Sequence, residues 1–487
     1  MAAARRVVLF PSLGVGHLTP MLELAAVCIR HGLAVTVAVP DPAITAPAFS
    51  ATLREYASRL PSLSVHFLPP PPAHHLLSPD AHPLVRMLAV LRALASAALR
   101  DLLRGPHAAQ ALVADMFSVY AIDVAAEVGV PGYLLFCTGA ANLAVFLRLP
   151  HLCSGSGGSL RELGDKPVSF PGLRPLPASH FPDEVLDRGT DISAAMLDAF
   201  DRMADARGIL VNTFEALEST GVAALRSGRC LPNRATPPVY CVGPLIANGD
   251  AEEERHQCLA WLDAQPERSV VFLCFGSRGA LSPEQVREMA TAIERSGQRF
   301  LWVLRAPAGA SATEPDAALA LLPDGFLART ADRVFVVTAS WAPQVAVLQH
   351  ASTGAFSTHC GWNSTLEAVA AGVPMVCWPL DAEQWMNKVF IVEEMKVGIE
   401  VRGYKPGVLV RADIIDATVR RIMEPEERQG VLEKVMAAKE SAAAAWKEGG
   451  SSCVAFGEFL KNMEEDNVAM AHSSQVHVLK QTSTPSV

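Results

Sequence analysis

Short apolar runs alternate with amphipathic segments along most of the chain. The first forty residues show the repeating unit: an apolar run at 7–11, a glycine-containing loop, a helical pattern over 18–31, and a second apolar run at 33–39 after Gly32. Further apolar runs in this half predict strands at 64–68, 111–114, 133–136 and 208–212, with helical patterns at 84–103, 119–128 and 193–206 between them. This alternation predicts a doubly wound parallel α/β sheet.

The same alternation begins again after residue 256. Apolar runs predict strands at 269–275, 300–304, 334–337, 354–358 and 375–378, and Ser282-Pro283 predicts the start of the first helix. The fold class is therefore α/β, with two Rossmann-like doubly wound domains expected to face each other across a cleft. The predicted organisation is a first domain at 1–245, a polar linker at 246–256, a second domain at 257–455, a helix at 456–467 that returns to the first domain, and a flexible tail at 468–487.

Composition narrows the class of partner. The chain has 487 residues, half of them hydrophobic and 19% charged, with a net charge of −9 and no basic run. This profile is typical of a globular protein and speaks against nucleic-acid binding. Together with the two predicted domains, it favours a small-molecule partner.

Two segments resemble targeting or membrane sequences but favour other interpretations. The basic and apolar start of the chain is broken by Pro11 and Gly14, so it predicts a first strand rather than a signal peptide. The uncharged stretch 128–147 contains prolines and glycines that divide it into a buried strand and a core helix. The ten cysteines form no C-x-x-C pair, which favours reduced thiols in a cytoplasmic protein.

A polar constellation surrounds the predicted strand at 354–358. Ser364 and Glu367 have the spacing of a capping box, so a helix is expected to start near Asn363 and to offer its dipole and amides to an anion. A plain helix cap is the alternative. Trp341 and Gln344 precede the strand and suit a flat base and ribose hydroxyls, whereas Glu383 and Gln384 follow the next strand. Together these features describe a nucleotide-sugar site.

The first domain contains a candidate acid–base pair. His17 lies in Gly14-Val-Gly-His-Leu-Thr-Pro20, where the start of a helix disfavours the imidazolium ion. Asp115 follows the apolar run at 111–114 and would reach His17 at a neighbouring strand end. A structural histidine, and an aspartate that caps the next helix, are the alternatives.

The segment 341–384 resembles the signature of plant secondary-product glycosyltransferases, which belong to the family one UDP-dependent glycosyltransferases with the GT-B fold. The likeness extends from the first strand to about residue 460. By this resemblance Trp341 would stack on uracil, Ala342 would meet the base, Gln344 and Glu367 would hold the ribose, and Thr138 would lie near the donor sugar. The phosphates would be held by His359, Asn363, Ser364 and Ser277, and the sugar by Trp362, Glu383 and Gln384.

The resemblance also implies the reaction. His17 would deprotonate an acceptor hydroxyl with help from Asp115, whose Val-Ala-Asp-Met-Phe context is similar to the family's catalytic segment, and the product would be a β-glucoside. The final Gln384 favours UDP-glucose as co-substrate, with UDP-galactose as the alternative. The chain has no Asp-x-Asp sequence, so no metal or other cofactor is expected, and a metal role for the segment 381–383 is disfavoured.

The acceptor is predicted only by analogy. Segments 142–150 and 170–182 resemble flavonoid, chalcone and isoflavone O-glucosyltransferases, which implies a small phenolic acceptor near Gly16, Met116, Phe117 and Phe146. A non-flavonoid acceptor and a C-linked product stay open, and a monomer is expected. A nicotinamide dehydrogenase is disfavoured because Gly14-x-Gly16 is not followed by x-x-Gly. A non-catalytic nucleotide-sugar binding protein is disfavoured because His17 and Asp115 are both present.

Overall fold

A computed structural model describes the chain over residues 5–72, 77–105, 109–155, 158–247, 256–277, 279–306, 315–338 and 342–482, without the side chains of 315–316 and 471–482. Within these ranges the chain forms two compact units. The first comprises residues up to Ser179, Asp183–Ile246 and Ala445 onward, and the second comprises His180–Pro182 and Ala247–Ala444. The predicted linker, 246–256, lies mostly outside the described residues.

The first unit is built on a seven-stranded parallel sheet with the order β3-β2-β1-β4-β5-β8-β9 and a short antiparallel pair, β6 and β7. Its strands are β1 Arg6–Phe10, β2 Ala34–Pro40, β3 Leu63–Leu68, β4 Ala111–Asp115, β5 Gly132–Phe136, β6 Pro167–Val168, β7 Leu176–Pro177, β8 Ile209–Val211 and β9 Val239–Cys241. Its helices before the second unit are α1 Val15–Arg30, α2 Pro47–Arg59, α3 Pro83–Leu94, α4 Arg100–Arg104, α5 Ala121–Glu127, α6 Ala140–Cys153, α7 Asp183–Leu186, α8 Asp191–Arg202 and α9 Ser219–Arg226.

The second unit repeats the plan with a six-stranded parallel sheet in the order β12-β11-β10-β13-β14-β15. Its strands are β10 Val270–Cys274, β11 Arg299–Val303, β12 Val334–Val337, β13 Thr353–Thr358, β14 Met375–Cys377 and β15 Gly398–Glu400. Its helices are α10 Gln257–Asp263, α11 Pro283–Ser296, α12 Pro315–Leu319, α13 Phe326–Arg329, α14 Gln344–Gln349, α15 Trp362–Ala371, α16 Gln384–Val389, α17 Ala412–Met423 and α18 Pro425–Ala445.

Both sheets confirm the doubly wound α/β prediction. In each unit the first strand lies next to the fourth strand of the main sheet, so the order reverses beside it. Ligands of open α/β sheets bind at this switch point, outside the carboxyl ends of the strands. The central strands are buried on both faces, which explains why they read as continuous apolar runs. The three-residue strand β15 was not predicted, because Gly-Ile-Glu is too short to show periodicity.

The C-terminal helix α19, Ser451–Thr482, belongs to the first unit and is longer than the predicted helix at 456–467. Phe456, Phe459 and Met463 are fully buried in the core of that unit, and Tyr133 donates a hydrogen bond of 2.6 Å to Asp466. Its last turns reach residue 482, where the sequence analysis predicted a flexible tail. The tail was predicted because this stretch is polar and shows no apolar periodicity, but it contains no proline or glycine and can therefore form a helix.

The stretch 128–147 forms the buried strand β5 and the start of α6, and no helix in the described part of the chain is long and apolar enough to cross a membrane. All ten cysteines fall within the described ranges as free thiols, most of them buried.

Candidate active site

His17 and Asp115 are brought together by the pairing of two adjacent parallel strands. Strand β1 leads through a loop into α1, whose N-cap is Gly14, and His17 is the third residue of that helix. Strand β4 pairs with β1 so that Ala114 is level with Phe10, which places Asp115 just beyond the end of β1. Residues 98 positions apart in the sequence therefore meet at the switch point of the sheet.

The pair is a direct hydrogen bond. The distance from His17 Nδ1 to Asp115 Oδ2 is 2.8 Å, and Asp115 is fully buried whereas 27% of the His17 side chain is exposed. The second oxygen, Asp115 Oδ1, accepts a hydrogen bond of 2.9 Å from the amide of Phe117 and caps the short helix Met116–Ser118. The contacts expected under both interpretations are therefore present together, since one oxygen caps the short helix and the other contacts the histidine.

Asp115 is ionised despite its burial. Burial alone would raise the pKa of this carboxyl, but the nearby His17 and the hydrogen bonds that the carboxylate accepts hold the pKa below its usual value. A buried carboxylate that accepts from Nδ1 fixes the tautomer in which Nε2 is the basic nitrogen of a neutral ring. The arrangement can therefore accept a proton at His17 Nε2 and stabilise the resulting imidazolium.

Cys137 is the residue of this cluster that the sequence analysis missed. Its Sγ lies 3.4 Å from Asp115 Oδ2 and 3.9 Å from the backbone oxygen of His17. Burial, and next the charge of Asp115, raise the pKa of the Cys137 thiol well above its ordinary value, so the sulfur stays protonated and donates. The signal was available, since Cys137 directly follows β5, the strand beside β4.

His17, Asp115 and Cys137 also present the three ligand types of a metal site, with the ligand atoms within 4.8 Å of one another. A metal would need the thiolate, because the deprotonated sulfur is the ligand. In this structure the imidazole of His17 and the thiol of Cys137 both hydrogen-bond to Asp115 Oδ2, so the three residues form a hydrogen-bonded cluster.

Of Thr138 and the four predicted acceptor residues, only Gly16 and Phe117 reach the surface. Thr138 is 6% exposed, and its hydroxyl accepts a hydrogen bond of 2.9 Å from Asn142 in the first turn of α6. Gly16 is exposed with open space beside its Cα, and the ring of half-buried Phe117 lies 5.0 Å from that of His17. Met116 is buried, and Phe146, 4% exposed, stacks on a neighbouring phenylalanine at 4.2 Å.

In the second unit, helix α15 begins without a side-chain cap. Its N-cap is Gly361 in an extended conformation, with no side-chain hydrogen bond to the first turn. The predicted capping box is wrong. Ser364 and Glu367 both accept hydrogen bonds from Gln344 Nε2, at 2.8 and 2.6 Å. No side-chain cap therefore competes with an anion for the amides of this first turn.

His359 lies between two glycines close to this helix start. A Cβ at Gly276 would lie 2.6 Å from His359 Nε2, and one at Gly361 would also collide with the ring. Gly276 has a φ of +77°, and its carbonyl accepts a 2.9 Å hydrogen bond from Arg305. Both glycines were missed as site residues, although their positions after a strand and before a helix were visible in the sequence.

Burial sets the protonation of the two titratable groups of this site. Burial lowers the pKa of His359 to about 4, and its buried Nδ1 has no hydrogen-bond partner among the described residues. Burial raises the pKa of Glu367 to about 7, although the hydrogen bond from Gln344 opposes the rise. Near neutral pH the imidazole of His359 is thus neutral, and the carboxyl of Glu367, in the middle of α15, is much easier to protonate than an exposed one.

The loop before α16 is held by side chains of its own segment. Gln384 Oε1 accepts from the amides of Leu380 and Asp381 at 2.8 and 3.0 Å, and Gln384 Nε2 donates to Asp381 Oδ1 at 2.5 Å. Asn387 donates to Glu383 and to the carbonyl of Cys360, which ties this loop to the start of α15.

The remaining predicted donor residues lie around the same sheet edge. Ser277 is exposed in the loop after β10, Ala342 is buried before α14, and Trp362 and Asn363 are the first two residues of α15. Trp341 lies outside the described residues.

Comparison with known proteins identifies the family. Residues 212–420 match the model for UDP-glucoronosyl and UDP-glucosyl transferases. The chain is 39% identical to anthocyanidin 5,3-O-glucosyltransferase of a Rosa hybrid cultivar over 92% of this chain and 96% of the relative. It is 38% identical to phloretin 2'-O-glucosyltransferase of Pyrus communis over 92% and 97% of the two chains.

Solved structures of plant UDP-glycosyltransferases are similar to this chain over nearly its whole length. Phytolacca americana UGT2, in complex with UDP-2-fluoro-glucose and pterostilbene, has a TM-score of 0.84 and 36% identity, and the match covers 95% of this chain and all of that one. Medicago truncatula UGT71G1 in complex with UDP-glucose has a TM-score of 0.81 and 30% identity over 95% and 98% of the two chains. The chain is therefore an enzyme of the plant family one UDP-glycosyltransferases, with the GT-B fold, and its donor is a UDP-sugar.

Proposed function

We propose that this enzyme transfers glucose from UDP-glucose to a hydroxyl of a small phenolic acceptor, with inversion at the anomeric carbon. The observation that carries the proposal is the 2.8 Å bond between His17 Nδ1 and Asp115 Oδ2, because it leaves Nε2 as the base. In the proposed reaction, Nε2 takes the hydroxyl proton while the acceptor oxygen forms a bond to the anomeric carbon. The bond from that carbon to the UDP oxygen breaks, and UDP leaves with the electron pair.

Asp115 supports this step electrostatically. As His17 takes up the proton, Asp115 becomes the partner of an imidazolium ion, and its low pKa means that it does not take the proton itself. Attack from the face opposite UDP converts the α-linked donor to a β-glucoside. The exposed Gly16 and the Phe117 ring beside His17 are the residues best placed to contact the acceptor.

Met116 and Phe146, which the sequence analysis also assigned to the acceptor, are buried side chains. We therefore assign them to the packing behind that surface rather than to contact with the acceptor. We assign Thr138 to packing as well, since it is buried and its hydroxyl accepts a hydrogen bond from Asn142 of α6.

The second unit supplies the donor site. The uncapped start of α15, His359, Asn363 and Ser364 would hold the diphosphate, with Ser277 from the loop after β10. Gln344 and Glu367, already joined by a hydrogen bond, would meet the ribose, and Ala342 and Trp341 the base. Trp362, Glu383 and Gln384 would hold the sugar. The departing charge is then stabilised by helix amides and by imidazole, so we propose that transfer needs no metal.

Several relatives support a phenolic acceptor. One is named for anthocyanidin and another for phloretin, and a third was solved with pterostilbene. We further propose that the enzyme is cytoplasmic and acts as a monomer. Its ten cysteines are free thiols, most of them buried, which is consistent with a reducing compartment.

The proposal is tested by incubating the enzyme with UDP-glucose and a panel of flavonoids, chalcones and simple phenols. We expect UDP release with matching glucoside formation by mass spectrometry, a β-anomeric proton coupling in the product, and no change on adding a chelator. UDP-galactose run in parallel tests the donor. Binding of UDP-glucose without turnover on any acceptor would favour a binding protein, and an α-glucoside would overturn inversion.

A further inference from the structure

The first turn of helix α6 is capped by a side chain from a distant part of the chain. Its N-cap residue, Gly139, has no side chain to offer, and Ala140 and Ala141 begin the helix. The amide of Ala140 donates a 2.8 Å hydrogen bond to Glu218 Oε2, and the amide of Ala141 donates one of 3.1 Å to Glu218 Oε1. Glu218 is 5% exposed, so a buried carboxyl group lies at the positive end of this helix, where negative charge is favoured.

The start of α9 holds Glu218 in place. Glu218 is the N-cap residue of α9, and its carbonyl accepts a 2.9 Å hydrogen bond from the amide of Val222. Gly221 allows the starts of the two helices to approach each other, since a Cβ there would lie 2.6 Å from the amide nitrogen of Ala141. The first turns of α6 and α9 are therefore joined by one buried side chain and by close backbone packing.

The turn before α6 leads directly to the proposed acid–base pair. Cys137 follows β5, and its Sγ lies 3.4 Å from Asp115 Oδ2. The hydroxyl of Thr138 accepts a 2.9 Å hydrogen bond from Asn142, which fastens the turn to the helix. Because two residues, Thr138 and Gly139, separate Cys137 from α6, a displacement of the helix start moves the thiol relative to Asp115.

The two units differ in what lies at a helix start with a glycine N-cap. Helix α15 begins at Gly361 without a side-chain cap, whereas at α6 the oxygens of Glu218 occupy the amides of the first turn. The start of α6 therefore already holds an acidic group of the protein itself. Its contribution to the reaction is one of position rather than of ligand binding.

We propose that Glu218 is a positioning residue for the base: by capping α6 it holds Cys137 where the thiol donates to Asp115, and through Asp115 it sets how readily His17 takes up a proton. This inference rests on the proposed function, since it assumes that His17 is the base. The role of Glu218 is indirect and lies within the first unit. Turnover and its pH dependence should therefore respond to Glu218, and UDP binding in the second unit should not.

The experiment measures kcat, the pH–rate profile and the affinity for UDP of full-length Glu218→Gln. In this variant one amide of the first turn faces an NH2 group instead of an oxygen, so the start of α6 shifts. We expect kcat to fall about two- to fivefold, with less than about a twofold change in UDP affinity. The acid limb of the profile should move up by about half a pH unit, because Asp115 without the thiol hydrogen bond stabilises the imidazolium more strongly.

Two variants of similar chemistry accompany it. Glu218→Asp keeps the carboxyl group on a shorter side chain and should give a smaller shift of the acid limb, and it carries the comparison if Glu218→Gln does not fold. Glu215→Gln is the matched control. It removes a carboxylate of the same segment, which pairs with Arg226 near the surface, and should behave as wild type.

The decisive comparison is Glu218→Gln in the Cys137→Ala background. If Glu218 acts through the thiol, the double variant should have the acid limb of Cys137→Ala alone, because no further hydrogen bond is lost. Additive shifts would overturn the inference, and so would a wild-type acid limb in both Glu218 variants with only a lower melting temperature; the proposed function would stand in either case. Wild-type turnover in His17→Ala, measured alongside, would overturn both.

Discussion

The two regions that carry the proposed chemistry are built on different principles. In the first unit, His17 and Asp115 contact each other through their side chains, and strand pairing sets their distance. In the second unit, the site is defined largely by backbone: an uncapped helix start, glycines that leave room for His359, and a loop with a positive φ. A side-chain pair is sensitive to removal of a functional group, whereas a backbone-defined site is sensitive to added atoms.

The strongest test of this contrast is His17→Ala. Removal of a general base lowers turnover by about two to four orders of magnitude, and it should leave UDP affinity unchanged because no proposed UDP contact is lost. Initial rates with saturating UDP-glucose and calorimetry with UDP measure the two effects. His66→Ala, an exposed histidine on β3, is the control and should behave as wild type. A parallel loss of UDP affinity in His17→Ala would contradict the separation of the two regions.

Asp115→Asn should cost somewhat less turnover, on the order of a hundredfold or more, because the imidazole remains but loses its charged partner. The change also affects stability. Since the folded pKa of Asp115 lies below the ordinary value, its ionisation stabilises the folded enzyme above about pH 4, and this contribution disappears as the pH falls through the folded pKa. Melting temperatures of wild type and variant should therefore converge below pH 4. A difference that is constant from pH 7 to pH 3 would argue against an ionised Asp115.

The sequence predicted the side-chain pair better than the backbone-defined site. Apolar runs located β1 and β4. Because the carboxyl ends of adjacent strands in one sheet lie close together, the sequence alone predicted that His17 and Asp115 would meet. The roles of Gly276 and Gly361 depend on the path of the backbone around His359, which periodicity does not encode. Ser364 and Glu367 matched a capping box by spacing alone, yet Gln344, far from them in sequence, competes for both side chains. Cys137 was overlooked because a buried cysteine is more often packing than chemistry.

Gly276→Ala tests the backbone-defined region directly. The added methyl would collide with His359, and the φ of +77° is unfavourable for alanine, so we expect UDP affinity to fall about tenfold, with a loss of roughly 1–3 kcal/mol in stability. Gly430→Ala, inside α18 with open space around its Cα, is the matched control and should be neutral or slightly stabilising. Calorimetry and thermal melts check both variants, and unchanged UDP affinity in Gly276→Ala would remove the glycine from the site.

Glu367→Gln should reveal a conflict between stability and donor binding. The folded pKa of about 7 lies above the ordinary 4.5, so ionising this carboxyl destabilises the folded enzyme. This destabilisation is absent below pH 4.5 and grows as the pH rises to about 7. The variant should be more stable than wild type by about 3 kcal/mol at pH 8 and equal to it near pH 4.5, while it binds UDP-glucose less tightly. Melts at the two pH values check this, and a stability gain at low pH would contradict it.

The smallest effect is expected at Cys137, and it tests whether the side-chain pair has a third member. The Sγ to Asp115 Oδ2 distance of 3.4 Å suits a weak S–H donor. Cys137→Ala should lower turnover about two- to fivefold, since the carboxylate loses one hydrogen bond. It should also move the acid limb of the pH–rate profile upward, because Asp115 and His17 titrate as a coupled pair. Cys137→Ser restores a donor of similar size and should recover most of the rate. If alanine and serine instead reduce turnover equally while melting temperatures fall together, the thiol contributes packing and the pair is complete without it.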